Sequence, residues 1–300
     1  MKKMLITGGT VFVSRCAAEY YREKYDVYVL NRGTKTQCEG VTLIKADRHA
    51  LGDHLKNMHF DVVLDITAYD AKDVQNLLDA VDSFDDYFLI SSSAVYPETE
   101  SQPFSEESNI GPNRIWGKYG TDKIAAENAL LRRVPNAYVL RPPYLYGPGN
   151  NVYREAFVFE CALAGRPFYL PGKGNMGLQF FYVADLFRFV DRILTVRPKT
   201  HIFNVGNPEM ISIRDWVKEC YAAVGKTPEF IPVSTDIEQR NYFPFYGYEY
   251  ILEVKKQKDL LPELKPLSEG LRESFIWYQQ YDSVVNRKPL ISYIDSNLKE

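Results

Sequence analysis

The sequence predicts an α/β chain built on a doubly wound parallel sheet, with a second, smaller α/β lobe appended. Three observations predict it. Short apolar runs alternate with amphipathic helical stretches as far as residue 140, the first run ends in Gly8-Gly9, and beyond residue 147 the alternation gives way to Pro/Gly-punctuated pieces. Runs that are apolar on both faces belong to parallel strands covered by helices on each side. A chain of 300 residues is also longer than one core usually organises.

In chain order, residues 4–7 form the first strand, 12–24 a helix and 26–30 the second strand. Further strands are expected at 41–46, 61–66, 87–90 and 137–140, with helices over 71–82 and 119–131. Gly147-Pro148-Gly149 and Pro171-Gly172-Lys173-Gly174 mark the loosened second half. The expected division is a dinucleotide-binding domain from 1–147 plus roughly 178–202, with 148–177 and 203–300 mainly in the second lobe. The last residues read as a short amphipathic element.

In such sheets ligands lie beyond the carboxyl ends of the strands, and the turn after the first strand meets a pyrophosphate at a helix N-terminus. Here that turn is Gly8-Gly9-Thr10-Val11-Phe12-Val13-Ser14. Of the three glycines in the usual fingerprint only Gly8 is present, with Val11 and Ser14 in the other two places. A Cβ at Val11 is expected to push the backbone away from a phosphate. The second strand runs into Asn31-Arg32-Gly33, where NAD-binding domains offer an acidic group to the ribose. Asn31 carries no charge to repel a phosphate, and Arg32 either pairs with one or is a solvated turn residue, so NADP(H) is predicted over NAD(H). Asp47-Arg48, after the third strand, either borders an adenine ring or caps a helix.

At the reacting end, Ser91-Ser92-Ser93-Ala94-Val95-Tyr96 places hydroxyls at a strand's carboxyl end, and Tyr119 and Lys123 lie four apart on a helix. That spacing sets both side chains on one face, where an ammonium stabilises a phenolate and a serine hydroxyl bonds the same substrate oxygen. Taken with Leu140-Arg141-Pro142-Pro143-Tyr144-Leu145-Tyr146-Gly147-Pro148-Gly149, Phe181-Tyr182-Val183-Ala184-Asp185 and Phe203-Asn204-Val205-Gly206, these motifs resemble the extended short-chain dehydrogenase/reductases, in the NAD(P)-dependent sugar epimerase/dehydratase group. The resemblance covers nearly the whole chain. It implies a Rossmann domain, Tyr119 as acid/base, Lys123 on the nicotinamide ribose and Ser92 assisting, with Ser93 as fallback. It adds Thr67, Ala68, Ser91 and Pro142 to the expected cofactor contacts, a nucleotide-sugar substrate, and a homodimer through the 119–131 helix by way of Ile124, Ala125, Leu130 and Leu131.

The departures narrow the reaction. Sugar-nucleotide 4,6-dehydratases carry an acid pair where this chain has Ser93-Ala94, which disfavours water elimination and leaves epimerisation or carbonyl reduction. Leu178-Gln179 stands where an Arg-Asp pair is usual. Val11 and Asn31-Arg32-Gly33 are similar to a divergent branch that includes chloroplast RNA-binding proteins. The alternative function is therefore a non-catalytic dinucleotide-fold protein that binds RNA or a protein partner. The chain has 36 Lys+Arg against 39 Asp+Glu, net −3, which argues against a broad grip on nucleic acid or anionic lipid. Its 22 Tyr, 17 Phe and 3 Trp are an excess of rings; the run Arg240-Asn241-Tyr242-Phe243-Pro244-Phe245-Tyr246 stacks bases or builds a lobe core and nucleotide wall. Cys16, Cys38, Cys161 and Cys220 are scattered, so no metal site is expected, and four thiols without an export signal or membrane span point to the cytoplasm.

Overall fold

The computed structural model describes residues 1–299. Its elements follow in chain order: β1 (Lys3–Thr7), α1 (Phe12–Tyr21), β2 (Asp26–Asn31), β3 (Thr42–Lys45), β4 (His59–Asp65), α2 (Ala71–Ala80), β5 (Ser83–Ile90), α3 (Lys118–Arg133), β6 (Tyr138–Arg141), β7 (Tyr144–Tyr146), α4 (Glu155–Leu163), β8 (Phe168–Pro171), β9 (Gly177–Leu178), β10 (Phe180–Tyr182), α5 (Val183–Val196), β11 (Ile202–Asn204), β12 (Ile211–Ser212), α6 (Ile213–Val224), β13 (Phe230–Val233), α7 (Lys255–Leu260), α8 (Leu267–Tyr281) and α9 (Leu290–Asn297). Seven strands form one sheet in the order β3-β2-β1-β4-β5-β6-β11, and every pair is parallel. The predicted fold class is therefore the observed one. The chain reverses direction across the sheet between β3 and β4, which places the switch point beside β1, where the glycine turn emerges.

Both faces of the sheet are covered because its strands are apolar on both sides. Ala17, Ala18 and Tyr21 of α1 and Leu186, Phe187 and Val190 of α5 pack on Ile6, Val29 and Phe88. On the other face Val74 and Leu77 of α2 join Ala126 and Leu130 of α3 over Leu5, Val63 and Leu89. β5 starts four residues before its apolar run: Ser83 to Asp86 are polar or only part-buried, yet they already pair with β4 at the strands' amino ends. The expected domain boundary at 202 falls on the first residue of β11, the sheet's outer strand.

The second lobe has its own ring-rich core. Phe157 and Phe159 of α4, Phe168 of β8, Trp216 of α6, Phe275 of α8, and Phe243 and Phe245 share one cluster. Phe180 stacks on Trp216 with ring centroids 5.5 Å apart. Tyr242, Phe243 and Phe245 are at most 1% exposed, so these three rings of the 240–246 run offer no open face to stack on bases. The carboxyl-terminal element docks here as α9 through Leu290 and Ile294.

The apolar strip expected to meet a second copy is used in part inside the chain. Leu130 is fully buried, Leu131 packs on the sheet-side cluster, and Ile124 packs on Val95, Tyr96 and Phe104. Ile124, Ala125 and Leu131 stay part-exposed, so only Leu130 is withdrawn from that expected face.

Candidate active site

The carboxyl ends of β1, β4 and β5 open onto one cavity of about 340 Å³. The turn leaving β1 is possible only with its two glycines. Gly8 and Gly9 take φ +95° and +97°; a Cβ on Gly8 would lie 2.7 Å from Ser14 Oγ, and one on Gly9 would lie 2.6 Å from Val29 Cγ1. Ser14 replaces the third fingerprint glycine by using the space that Gly8 leaves, and its hydroxyl donates to the Val11 carbonyl at 3.0 Å. Val11 is an extended N-cap with no side-chain cap, and the turn's strain passes to Phe12 at φ +36°. Such a backbone costs of order 1–3 kcal/mol. The first N–H groups of α1 are therefore without an acidic or hydroxyl cap, and Val11, Phe12, Val13 and Ser14 line the cavity. A cradle that a Cβ would fill, joined to an uncapped helix start, fits a dinucleotide pyrophosphate. Gly9→Ala should lose roughly 1–3 kcal/mol of stability and weaken dinucleotide binding at least about tenfold, read by urea denaturation and calorimetry. A change below about 0.5 kcal/mol would contradict this account of the turn.

Ser91, Ser92, Tyr119, Lys123, Thr67 and Pro142 line the same cavity. Ser92 caps the 3-10 turn Ser93–Val95 by accepting from the Ala94 N–H at 3.2 Å. Ser92 and Tyr119 line the same cavity, while Ser93 is buried and does not line it. Gly120 follows Tyr119 because any Cβ there would lie 2.4 Å from the Ala94 carbonyl, so α3 presses against the serine segment. Tyr119 stands at the cavity mouth, 40% exposed. Burial of its hydroxyl raises the phenol above its ordinary value, and the neighbouring Ser92 hydroxyl and the Arg154 charge act in the opposite sense. Lys123 Nζ is buried and donates to the carbonyls of Ala68 at 2.7 Å and Ile90 at 2.9 Å. Desolvation lowers it to about 8.

Sequence reasoning missed two buried networks that hold these walls. Asp65, at the end of β4, accepts from Thr7 and Tyr87 hydroxyls, each at 2.7 Å, and from both terminal nitrogens of Arg48 at 3.2 Å. Arg48 also donates to Thr67 at 2.9 Å and pairs with Asp73, so its guanidinium is engaged away from any adenine edge. Asp47 remains exposed and accepts from the His49 N–H, a turn cap. One turn beyond Lys123, Glu127 takes a two-pronged ion pair from Arg141 at 3.0 and 2.6 Å and a hydrogen bond from Ser91 at 2.5 Å. Arg141 reaches on to the Tyr96 hydroxyl, which bonds Asn204.

At the far end of the groove, Asn31 donates to the Gly8 carbonyl at 2.6 Å and accepts from the Gly33 N–H at 2.8 Å. It therefore ties the β2 end to the glycine turn, and Arg32 beside it is exposed. Gly8, Gly9, Thr10, Asn31, Arg32, Asp47, Arg48 and Ala68 do not line the central cavity. Gln179, in the place of the usual Arg-Asp pair, is buried and bonded to backbone groups of Asn207 and Leu252.

The model of the NAD dependent epimerase/dehydratase family matches residues 4–206. Among curated proteins the chain is similar to the chloroplast stem-loop binding protein of 41 kDa b of Arabidopsis thaliana, 29% identical across 91% of this chain and 78% of that one. Among solved structures it is similar to a UDP-glucose 4-epimerase of Thermotoga maritima with UDP-glucose, with 21% identity, coverage of 93% and 99%, and a TM-score of 0.73. It is also similar to a dTDP-glucose 4,6-dehydratase of Bacillus anthracis in complex with NAD, with 18% identity, coverage of 97% and 100%, and a TM-score of 0.72. At these identities the two structures establish the fold.

Proposed function

The chain belongs to the NAD dependent epimerase/dehydratase family, and on that premise we propose an NAD(P)-dependent enzyme acting on a nucleotide sugar as an epimerase or ketoreductase. The observation that carries this reading is the convergence of Ser92, Tyr119 and Lys123 with the glycine turn on one cavity. Tyr119 takes the proton of a sugar hydroxyl, and the Ser92 hydroxyl holds the same oxygen. The Ser92 hydroxyl and the Arg154 charge favour the phenolate that burial opposes, and Lys123, donating to two carbonyls, adds its charge on the same cavity wall. When bound, the nicotinamide accepts two electrons with the hydrogen of the carbinol carbon and, in an epimerase, gives them back to the opposite face. No Asp or Glu lines this cavity among the described residues, so the pair needed for water elimination has no counterpart here.

The cofactor is proposed to be NADP(H). Asn31 presents no carboxylate to a 2′-phosphate, and Arg32 lies exposed beside it. NADP+ should bind more tightly than NAD+, and Arg32→Ala should weaken NADP+ about tenfold or more while changing NAD+ less than about threefold. Equal affinities of the unaltered chain for the two would remove this assignment. A separate expectation follows from Lys123: as the pH rises through about 8, its ammonium loses the proton and the anionic dinucleotide loses an attraction. Affinity should therefore fall above pH 8, and Lys123→Met should show weak binding with no such fall.

The decisive experiment is a panel of nucleoside diphosphate sugars with either dinucleotide, read by product chromatography, with Tyr119→Phe alongside. Turnover unchanged by that substitution would sink the mechanism. A second reading, a stem-loop or protein binder without turnover, draws on the Arabidopsis relative. The net charge of −3 and the buried rings of 242–245 weigh against a nucleic-acid surface.

A further inference from the structure

Tyr69 is 57% exposed, yet it lines the cavity of Ser92, Tyr119 and Lys123. Its backbone is fixed by its neighbours. The Ile66 and Thr67 N–H groups donate to the Thr7 hydroxyl at 2.9 and 3.0 Å, and the Tyr69 N–H donates to Asp73 at 2.8 Å. Asp70 then caps α2 by accepting from the Asp73 N–H at 3.0 Å. None of these bonds holds the ring, whose hydroxyl has no hydrogen bond among the described residues. What the ring meets is a cation: the Lys123 ammonium lies 5.2 Å from its centre.

That ammonium carries three N–H groups. Two donate to the Ala68 and Ile90 carbonyls at 2.7 and 2.9 Å, and the third has no acceptor among the described residues. Lys123 is only 2% exposed, so water replaces little of the missing contact. Desolvation lowers the ammonium to about 8, against Asp65 at the end of β4, Glu127 one turn on in α3 and Asp73 in α2, which favour the charge, while Arg48 opposes it. The two phenols on the same wall, Tyr69 and Tyr119, carry no charge while protonated. An aromatic face attracts a desolvated cation without offering a lone pair. It therefore steadies the charge and leaves the third N–H to an oxygen of a ligand, which a carboxylate in the same place would take up.

We propose that Tyr69 is a positioning residue for the reaction: its ring keeps Lys123 charged against the Ala68 and Ile90 carbonyls, with one N–H left for the dinucleotide. This rests on the reading of Ser92, Tyr119 and Lys123 as the reacting end, and adds a residue to it. The direction of the effect follows from the chemistry. Replacing the ring by an apolar side chain keeps water away but removes a stabilisation of the charged form alone, so the proton leaves at lower pH.

NMR of the full chain labelled with carbon-13 lysine, followed against pH, reads the ammonium directly, and the Lys123→Met spectrum identifies its signal. Tyr69→Leu should move the Lys123 midpoint down by about 0.5 to 1 pH unit, while Tyr69→Phe, which keeps the ring face, should hold it within about 0.2 unit. A merely structural role would change stability and leave the midpoint alone. An unmoved midpoint in Tyr69→Leu, or an equal shift in Tyr69→Phe, would overturn the proposal. Dinucleotide titration of the same samples separates it from the reading it rests on. In Tyr69→Leu the fall in affinity should begin at correspondingly lower pH, and a profile that stays in place while the midpoint moves would end the positioning role. A shifted midpoint in a chain that binds no dinucleotide at any pH would instead end the underlying reading and leave the hold of Tyr69 on Lys123 standing.

Discussion

Tyr119→Phe should lower turnover of the active nucleotide sugar by about a thousandfold, within the range of roughly 10²–10⁴ seen when a positioned acid/base is removed. Dinucleotide affinity should move by no more than a few-fold. The two effects separate because the phenol is at the cavity mouth, 40% exposed, while the walls that would hold the dinucleotide are built by the glycine turn and Lys123. The substitution deletes one hydroxyl at the mouth of a cavity, beside Ser92 and Arg154, so little stability is at stake. Unfolding in urea should shift by less than about 1 kcal/mol. A loss of turnover matched by an equal loss of dinucleotide binding would mean that Tyr119 positions the cofactor and moves no proton.

The second large effect is on stability. Glu127→Ala should cost roughly 3–5 kcal/mol, because it leaves Arg141 charged and buried with its two-pronged partner gone. Both side chains are no more than 3% exposed, so water cannot replace the lost carboxylate. The change also frees Ser91, whose hydroxyl bonds Glu127 at the cavity wall, so dinucleotide affinity should fall with stability. Glu127→Gln keeps one acceptor and should cost less. The double change Glu127→Met with Arg141→Met should cost less than Glu127→Ala, since it removes both charges together. A cost below about 1 kcal/mol for Glu127→Ala would show that this pair does not anchor α3 to β6.

What the sequence made legible was local. The glycine turn, the serines at a strand end and the Tyr119/Lys123 spacing each occupy a few consecutive residues, and their meaning follows from backbone geometry on one element. Asp65 was not legible, because its partners Thr7, Arg48 and Tyr87 come from three other segments. The same holds for Glu127 with Arg141 and for the capture of Gln179 by Asn207 and Leu252. Arg48 shows the cost of reading locally: its position after β3 points to an adenine, yet two carboxylates claim it. Periodicity likewise finds an apolar face but not its cover, so Ile124 and Leu130 suggested a second copy while the chain itself buries Leu130 and half-covers Ile124. Composition marked the rings of 240–246, and only packing separates the buried Tyr242, Phe243 and Phe245 from Tyr246, which faces a cavity.

The most direct test mixes the chain, loaded with NADP+ or NAD+, with each member of a panel of UDP- and dTDP-sugars and follows reduced-nicotinamide fluorescence. The account predicts that at least one sugar produces the signal, transient for an epimerase, and that Tyr119→Phe abolishes it with dinucleotide still bound. Tight dinucleotide binding with no reduction by any sugar, together with submicromolar binding of an RNA stem-loop, would contradict it.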